Sequence, residues 1–253
     1  MAKNGVLVVT GGSRGIGAAT SLLAAERGWA VVVNYAGNVE AAEQVTAAIL
    51  AKGGEAIAVR GDVSRPEDVA HIFAAADRLG PLTGLVNNAG IIGPTARVED
   101  LDAERIARIL AVNVTGSFLC AIAAIKRMST KHGGKGGSIV NLSSAASKLG
   151  GVNSYVDYAA AKGAIDTFTV GLALEVVGEG IRVNGVRPGI IDTDIHASGG
   201  EPDRAARMAS AIPMQRPGTA DEVARAIVWL LSDEASYSTG STIPVTGGRA
   251  ITP

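Results

Sequence analysis

Short apolar runs rich in Val, Ile and Leu recur along the chain and alternate with longer Ala-rich runs. Short runs without polar alternation are typical of parallel strands buried on both faces, and the longer runs have helical length. Strands are predicted at 5–10, 30–34, 56–60, 84–86, 138–142, 181–186 and 242–245. Helices are predicted up to about 27, then at 40–52, from 66, and at 102–131, 156–178 and 221–232. This alternation predicts an α/β fold, and the absence of a repeat or composition shift predicts a single domain over 1–253.

Composition and charge argue against several classes of function. The formal net charge is −1, so no basic surface favours nucleic acid or anionic lipid. Hydrophobic residues make up 47% of the chain and aromatic residues 4%, which predicts an aliphatic core. The single cysteine, Cys120, permits no internal disulfide, and its apolar neighbours predict a core position. No apolar stretch approaches the roughly 18 residues of a membrane span, so we expect a soluble cytoplasmic protein.

A glycine-rich turn follows the first predicted strand and opens the first predicted helix. The run from 10 to 17 reads Thr-Gly-Gly-Ser-Arg-Gly-Ile-Gly, with glycines at Gly11, Gly15 and Gly17. Glycines let the backbone approach a pyrophosphate at a helix N-terminus, so the segment predicts a dinucleotide site. The alternative is a merely structural turn, because the spacing differs from the commonest G-x-G-x-x-G pattern.

The end of the second predicted strand bears on which nucleotide binds. A carboxylate there would hold the ribose 2′-hydroxyl of NAD. The chain instead has Asn34 and Tyr35, and Arg14 lies in the glycine turn where its guanidinium could meet a 2′-phosphate. Both features favour NADP(H) over NAD(H). The alternative for Arg14 is an ordinary surface arginine.

Tyr158 and Lys162 are four residues apart on a predicted helix and therefore share a face. An ammonium beside a phenol favours the phenolate, so Lys162 is expected to lower the pKa of Tyr158 and make it an acid–base group. The alternative is a solvated helix face. Ser143 and Ser144 follow the fifth predicted strand, at the sheet edge where ligands bind in open parallel sheets.

Other polar residues carry weaker signals. Asn113 lies inside a predicted helix, where Asn is unfavourable, so it marks either a local distortion or a buried hydrogen-bonding side chain. The segment 192–218 mixes Gly, Pro and short helical pieces and is long for a connection, which is typical of a substrate-binding lid. Asp192, Asp194 and His196 within it are too closely spaced on irregular chain to favour a metal site, so no metal is predicted.

Taken in order, these motifs resemble those of the short-chain dehydrogenase/reductase family from end to end. The motifs are the glycine turn, Asp62-Val63, the run Asn-Asn-Ala-Gly at 87–90, Asn113, Ser144, Tyr158 with Lys162, and Pro188-Gly189. The resemblance implies a Rossmann-type doubly wound domain with a seven-stranded parallel sheet flanked by helices. Within the family, the chain is similar to bacterial glucose dehydrogenases and 3-oxoacyl-carrier-protein reductases. One departure is Thr246, where the family usually has Asp before the final glycine pair.

The resemblance also implies a catalytic tetrad of Asn113, Ser144, Tyr158 and Lys162, with Ser143 as the alternative serine. It implies hydride transfer between NADP(H) and a carbonyl or secondary alcohol, with no metal. The cofactor-binding residues that it implies are Gly11, Ser13, Arg14, Gly15, Ile16, Gly17, Asn34, Tyr35, Asp62, Val63, Asn88, Ala89, Gly90, Tyr158, Lys162, Pro188, Gly189, Ile191 and Thr193. The alternative function is a non-catalytic NADP-binding sensor or scaffold protein.

A homotetramer is predicted from the two helices that carry the tetrad. Their apolar residues exceed what one sheet face would cover, and large exposed apolar patches mark interfaces. The residues are Val112, Phe118, Ile122 and Ile125 on one helix and Ile165, Phe168, Leu172 and Val176 on the other. Family members commonly pair these helices across a two-fold axis, and the last strand offers a second contact. The alternative is that these residues only fill the monomer core.

Overall fold

The computed structural model describes residues 4–250, which form an α/β fold around one parallel sheet of seven strands. The strands lie in the order β3-β2-β1-β4-β5-β6-β7, as expected for a doubly wound Rossmann-type sheet. Their bounds are β1 Val6–Val9, β2 Ala30–Tyr35, β3 Glu55–Arg60, β4 Leu82–Asn87, β5 Gly137–Leu142, β6 Ile181–Pro188 and β7 Thr242–Val245. The fold predicted from the sequence is therefore confirmed.

Helices cover both faces of the sheet. Their bounds are α1 Gly15–Glu26, α2 Val39–Ala51, α3 Pro66–Leu79, α4 Ala103–Leu110, α5 Gly116–Met128, α6 Ala146–Leu149, α7 Val156–Val176, α8 Ile195–Ser198, α9 Arg204–Arg207 and α10 Ala220–Leu231. Helices α1, α2 and α10 pack on one face, and α3, α5 and α7 pack on the other. Single turns of 3₁₀ helix lie at Val98–Asp100, Thr130–His132, Val177–Glu179, Ala209–Ala211 and Asp233–Ala235.

Strand β1 shows why the apolar runs lack polar alternation. Val6 and Val8 enter the core beneath α3, α5 and α7, whereas Leu7 and Val9 enter the core beneath α1, α2 and α10. Successive side chains of a strand point to opposite faces, so a strand covered on both sides must be apolar at every position. All four residues are at most 1% exposed.

The predicted helix starts agree with the structure where a cap specifies them. The Asp102 carboxylate accepts a hydrogen bond from the Arg105 N–H and begins α4, and Pro66 occupies the first turn of α3. Thr219 and Glu222 form a reciprocal capping box at α10. The helix predicted over 102–131 ends instead at Met128 and contains a π-helical turn, Ala111–Thr115, at Asn113. The distortion expected at Asn113 is thus present.

The expectation that no segment approaches membrane-spanning length needs correction for this same helix. Over Ala103–Met128 it is long and apolar enough to cross a membrane by length and composition alone. In the structure its residues Cys120, Ala121 and Ala124 are at most 1% exposed, and they pack in the core beneath the sheet. These contacts are those of a core helix, and they confirm the predicted core position of Cys120.

Part of the apolar surface assigned to an interface lies in the core instead. Val112, Ile165, Leu172 and Val176 are at most 7% exposed, and Val112 in the π-helical turn and Leu172 and Val176 on α7 pack in the core beneath the sheet. Phe118 and Ile122 remain 43% and 48% exposed, and a different set on α7, Val170 and Leu174, is 46% and 74% exposed. An exposed apolar face therefore exists on both helices, with residues only partly those named from the sequence.

Candidate active site

The strand order reverses between β1 and β4, and the polar residues that end these strands lock them together. The Thr10 hydroxyl donates to the Val86 carbonyl at 3.1 Å and accepts from the N–H groups of Asn88 and Ala89, both at 3.0 Å. The Asn88 side chain donates to the carbonyls of Thr10 and Gly11 at 2.8 and 3.0 Å. Such a reversal opens a crevice beyond the strand ends, where ligands of this fold bind.

Gly17 fixes how closely α1 approaches the turn that precedes it. A Cβ at this position would lie 2.1 Å from the Gly11 carbonyl oxygen and 2.6 Å from the Asn88 amide nitrogen. The N-cap residue Arg14 provides no side-chain cap, and the first turn of α1 has no acidic residue. The first N–H groups of this twelve-residue helix therefore face the crevice without a side-chain acceptor at the cap.

A cavity of about 560 Å³ extends from the glycine turn to the end of β2. Its walls include Gly11, Ser13, Arg14, Gly15, Ile16, Asn34, Tyr35, Asp62, Val63, Asn88, Ala89, Gly90 and Thr193. The Asn34 side chain is 2% exposed; it accepts from the Gly11 N–H at 3.2 Å and donates to the carbonyls of Val59 and Gly61. Asn34 therefore shapes the turn, whereas the partly buried Tyr35 and exposed Arg14 face the cavity.

Asp62 and Val63 form the wall of this cavity beyond β3. The Asp62 carboxylate accepts from the N–H and hydroxyl of Ser64 and pairs with Arg108 at 3.1 Å. Burial raises the pKa of Asp62, but the bonds from Ser64 and Arg108 outweigh it and hold the pKa below its usual value. Arg108 also lines the cavity, and sequence reasoning missed it because its position on α4 gave no motif.

This cavity fits a nicotinamide dinucleotide. Free N–H groups at the start of α1 suit a pyrophosphate, which helix N-termini bind through their aligned dipoles. Glycines line the approach, so the backbone and not a side chain forms the contact surface at Gly11 and Gly15. The volume continues past Asn88 and Gly90, which also line a second cavity.

The second cavity, about 420 Å³ in volume, holds the predicted catalytic side chains. Ser144, Tyr158 and Lys162 line it together with Pro188, Gly189, Ile191 and Thr193. Asn113 lies just behind, since a Cβ on Gly90 would come 2.7 Å from its Oδ1 and 3.5 Å from the Lys162 Nζ. The two cavities share Ile16, Gly90 and Thr193, so they form one continuous groove.

Tyr158 and Lys162 lie on one face of α7, as their spacing predicts. The Lys162 Nζ is 5.7 Å from the centre of the Tyr158 ring and donates to the Leu142 carbonyl at 2.7 Å. Burial lowers the pKa of Lys162 to about 8, opposed by the charge of Asp166. Burial raises the pKa of Tyr158 to about 12, and a hydrogen bond with Ser144 lowers it only in part.

The expected lowering of the Tyr158 pKa by Lys162 is therefore not seen in the protein alone. The physical reason is desolvation, which disfavours the charged form of both groups and is the largest cause of both shifts. Tyr158 thus keeps its proton at neutral pH, and Lys162 is held near the point at which it loses one.

The two serines after β5 have different surroundings. The Ser143 hydroxyl is buried and donates to the Lys162 carbonyl at 3.2 Å, which ties β5 to α7. The Ser144 hydroxyl accepts from the Ala146 N–H at 3.1 Å and forms the hydrogen bond with Tyr158. Of the two serines, Ser144 shares a hydrogen bond with the tyrosine.

Asn113 connects the π-helical turn to the chain beyond β4. Its amide donates to the carbonyls of Ile91 and Ile109, both at 3.0 Å, and its Oδ1 accepts from the Ile91 N–H at 3.2 Å. The side chain is fully buried. Asn113 therefore fixes the strand end that forms one wall of the groove, and π turns often accompany such sites.

A buried ion pair that sequence reasoning missed fixes the start of α7. Arg105 donates to the Asp157 carboxylate at 2.8 Å and to the Pro94 carbonyl at 2.7 Å, and Asp157 accepts from the Tyr158 N–H at 2.9 Å. The Asp157 side chain is 2% exposed. The pair thereby connects α4, the loop after β4 and the Tyr158 backbone. An acidic residue beside Tyr158 was the only signal in the sequence.

A second cluster that sequence reasoning missed connects the loop that carries Ser144 to α7. Asp166, one turn beyond Lys162 on α7, accepts from the Ser147 hydroxyl at 2.7 Å and from Arg187 at 2.8 Å. The same Ser147 oxygen lies 2.9 Å from the Ser144 carbonyl oxygen. The loop that carries Ser144 is thus hydrogen-bonded to the helix that carries Lys162.

The segment 192–218 contributes to the wall of the second cavity, and its two ends lie side by side. Ile191 forms a parallel bridge with Gly218, whose N–H donates to the Ile190 carbonyl at 2.9 Å. Near its C-terminal end, the Met214 N–H donates to the Gly247 carbonyl at 3.0 Å. The segment is therefore a loop with adjacent ends, and its assignment as a lid stays a prediction.

Within residues 4–250, no three His, Cys, Asp or Glu side chains come close enough to hold a metal ion. Asp192 and Asp194 are exposed at the base of the segment. The side chain of His196, the third residue weighed as a ligand, lies outside the described part of the chain.

Comparisons with known proteins agree with this geometry. A family model described as enoyl-(acyl carrier protein) reductase matches residues 11–250. An uncharacterised oxidoreductase of Escherichia coli, YgfF, is 58% identical over 96% of this chain and 99% of its own length. Cis-4-hydroxycyclohexanecarboxylate dehydrogenase of Sinomonas cyclohexanicum is 42% identical over 96% and 95%. Glucose 1-dehydrogenase 2 of Bacillus subtilis is 38% identical over 97% and 95%.

The buried ammonium of Lys162 generates a prediction about stability. Its pKa is about 8 when folded, below the ordinary value of 10.5, so between these values the unfolded chain binds more protons. When the pH is raised from about 7 to about 9.5, the free energy of unfolding of the wild type should therefore rise by about 2 kcal/mol relative to that of the Lys162→Met variant. Urea unfolding of both proteins at both pH values, at one protein concentration, measures this difference. Lys126→Met, an exposed position on α5, is the control, and an equal pH response of both variants would contradict the assignment.

Proposed function

The chain belongs to the short-chain dehydrogenase/reductase family and is a nicotinamide-dependent oxidoreductase acting on CH–OH or C=O groups; we propose that it uses NADP(H) and the tetrad Asn113, Ser144, Tyr158 and Lys162. The observation that carries the tetrad is the meeting of Ser144, Tyr158 and Lys162 in one cavity that continues into the dinucleotide groove. When bound, the nicotinamide supplies or accepts the hydride.

Each side chain of the tetrad has a task in this proposal. Tyr158 gives its phenolic proton to the carbonyl oxygen in reduction and takes it back in oxidation, and its raised pKa keeps it protonated at neutral pH. Ser144, hydrogen-bonded to Tyr158, holds the same substrate oxygen. Lys162 holds the nicotinamide ribose and stabilises negative charge that develops on Tyr158. Asn113 fixes the wall of the groove at Ile91.

The preference for NADP(H) rests on the end of β2. The cavity wall there consists of Asn34, Tyr35, Ala36, Gly37 and Asn38, which include no carboxylate to hold a ribose 2′-hydroxyl. Arg14 lines the same cavity and is exposed, and among residues 4–250 its guanidinium has no ion-pair partner. A free guanidinium in that position suits a phosphate ester.

One relative is named for a sugar substrate and another for a hydroxy carboxylate, so the comparisons leave the substrate class of this chain open. We propose a small carbonyl or secondary alcohol compound that enters beneath the segment 192–218, which acts as the lid of a single domain over 1–253. Cytoplasmic location is part of the same proposal, as NADP(H) is a cytoplasmic cofactor.

A homotetramer is the assembly that the surface supports best. Exposed apolar side chains lie on α5, on α7 and at the residue just after α7. This set, here called the α5–α7 face, consists of Phe118, Ile122, Val170, Leu174 and Val177. Phe118 stacks on Phe168 at 3.8 Å, which connects the two helices. Strand β7 forms an edge of the sheet, with Trp229 38% and Tyr237 fully exposed on the segments before it. Two distinct two-fold contacts at these places give a D₂ tetramer.

Removing the phenolic hydroxyl tests the tetrad. Tyr158→Phe should lower kcat by about 10²- to 10⁴-fold, because it keeps the ring and removes only the proton carrier. NADPH binding, measured by fluorescence titration, should be nearly unchanged. A variant that keeps more than a few per cent of wild-type kcat would rule out Tyr158 as the acid–base group.

Introducing a carboxylate at the end of β2 tests the cofactor preference. Tyr35→Asp should move the ratio of kcat/KM for the two cofactors toward NAD(H), because the carboxylate repels a 2′-phosphate and accepts from a 2′-hydroxyl. The kcat/KM values for NADP(H) and for NAD(H) are measured with both the wild type and the variant. A wild type that prefers NAD(H) would contradict the proposal.

A charge on the α5–α7 face tests the assembly. Leu174→Arg should reduce the mass from tetramer to dimer in light scattering, because Leu174 is 74% exposed and its replacement disturbs no core contact. Leu50→Arg is the matched control, on α2 and 54% exposed. A monomer mass for an active wild-type preparation would rule the tetramer out.

A further inference from the structure

The second cavity has an unusual balance of charge. Lys162, Arg204 and Arg249 line it, and none of the described residues in its walls is Asp or Glu. The chain as a whole has 24 acidic residues against 23 Lys and Arg. The charge of the cavity wall, which is cationic only, therefore differs from the nearly even balance of the whole chain. Such a cavity attracts anionic ligands.

Arg204 and Arg249 line the same cavity as Tyr155 and Tyr158. The Tyr155 ring contacts the Tyr158 ring edge-on, with ring centres 6.0 Å apart, and the Arg204 guanidinium carbon lies 4.9 Å from the centre of Tyr155. Burial raises the pKa of Tyr155 and the charge of Glu201 adds to this, whereas the charges of Arg204 and Arg249 and a hydrogen bond with Arg204 oppose it. A ligand that spans from Tyr158 past Tyr155 would thus reach them.

Arg204 is held in place by its neighbours. It pairs with Glu201, which also accepts from Arg207 at 3.2 Å, so one carboxylate serves two guanidinium groups. The Arg204 side chain is 15% exposed. The contact with the Tyr155 ring and the ion pair with Glu201 fix the orientation of the Arg204 guanidinium. A ligand that binds Arg204 therefore loses little affinity to ordering of this side chain. The Glu201 cluster keeps a net positive charge.

Arg249 is the third cation of the cavity wall. Among residues 4–250 its guanidinium forms no ion pair, although the side chain is partly buried. Its backbone is fixed by a turn, since its N–H donates to the Thr246 carbonyl at 3.1 Å, and the lid is hydrogen-bonded to the same turn at Gly247. A partly buried, unpaired guanidinium on a fixed backbone gains from an oxyanion that enters the cavity.

From this arrangement we propose that the substrate carries an anionic oxyacid group, a carboxylate or sulfonate, and that Arg249 binds that group with Arg204 beside it, across the cavity from Ser144 and Tyr158. The inference rests on the proposed hydride transfer and adds the substrate class: a hydroxy acid or the corresponding oxo acid. The remaining walls, Ile92, Leu149, Val152, Ile190 and Ile195, are apolar and suit the carbon chain between the two polar ends.

Matched pairs of acids and esters test the charge requirement. The probes are 4-oxopentanoate, 5-oxohexanoate and 4-oxocyclohexanecarboxylate, each against its methyl ester, with NADPH oxidation as the readout. We expect kcat/KM about ten- to hundredfold higher for at least one acid than for its ester, as a charged hydrogen bond contributes. The advantage should fall as ionic strength rises, since salt screens the attraction.

Variants at Arg249 separate binding of the anion from a structural role. Arg249→Met should abolish the acid-to-ester preference, mainly through KM for the acid, and Arg249→Lys should restore part of it. Arg78→Met, exposed on α3, is the control with the same change of charge and should keep the wild-type preference. An acid preference that survives Arg249→Met would overturn the assignment.

The outcomes distinguish this inference from the proposed function. Turnover of neutral ketones or alcohols with no preference for acids overturns the anionic substrate and leaves hydride transfer standing. If no carbonyl or alcohol is turned over, the proposed function fails, and calorimetric binding of the three acids to the NADP complex decides the inference alone. Binding that Arg249→Met abolishes supports it, and no binding to wild type overturns it.

Discussion

The hydrogen bonds around Thr10 connect the ends of β1 and β4, where the strand order of the sheet reverses. Strands β1 and β4 are hydrogen-bonded neighbours whose connections leave toward opposite edges of the sheet, so the crevice that opens beyond their ends is bridged by the residues that follow them. The Thr10 hydroxyl and the Asn88 amide together satisfy backbone groups of both strand ends. The glycine turn, the dinucleotide groove and the wall at Gly90 all take their positions from these bonds. A Cβ at Gly17 would collide with two members of this network.

Desolvation decides the electrostatics of the catalytic cavity. It pushes Tyr158 and Lys162 toward their neutral forms, raising one pKa to about 12 and lowering the other to about 8. The Leu142 carbonyl and the charge of Asp166 support the ammonium, and the hydrogen bond with Ser144 supports a phenolate, but burial outweighs both. The protein alone therefore keeps Tyr158 protonated, which suits proton donation to a carbonyl. In the opposite direction, Tyr158 must lose its proton first, so oxidation should depend more steeply on pH than reduction does.

Sequence patterns predicted the strands, most helices and the positions of Tyr158, Lys162 and the glycine turn, because each depends on local spacing. Asp102 and Pro66 marked helix starts for the same reason. The burial of Leu172 and Val176 beneath the sheet, and the exposure of Val170 and Leu174, were not predicted, because the rotation of a helix about its axis is set by tertiary packing. The Arg105–Asp157 pair joins residues 52 positions apart, and the raised pKa of Tyr158 depends on every group that excludes water from it. Neither leaves a local pattern.

The two ends of the groove are built from different parts of the chain, and their charges differ accordingly. The dinucleotide end comes from the sheet edge and the first four crossovers, where Asp62 pairs with Arg108 and both signs of charge are present. The substrate end takes part of its wall from the segment 192–218 and the turn after β7, which carry Arg204 and Arg249. These two segments contact each other at Gly247 but contribute little to the main core. Substitutions there can change the charge of the substrate cavity without disturbing the tetrad or the sheet. The proposed selectivity for an anionic substrate therefore depends on loop residues that family-level motifs do not include.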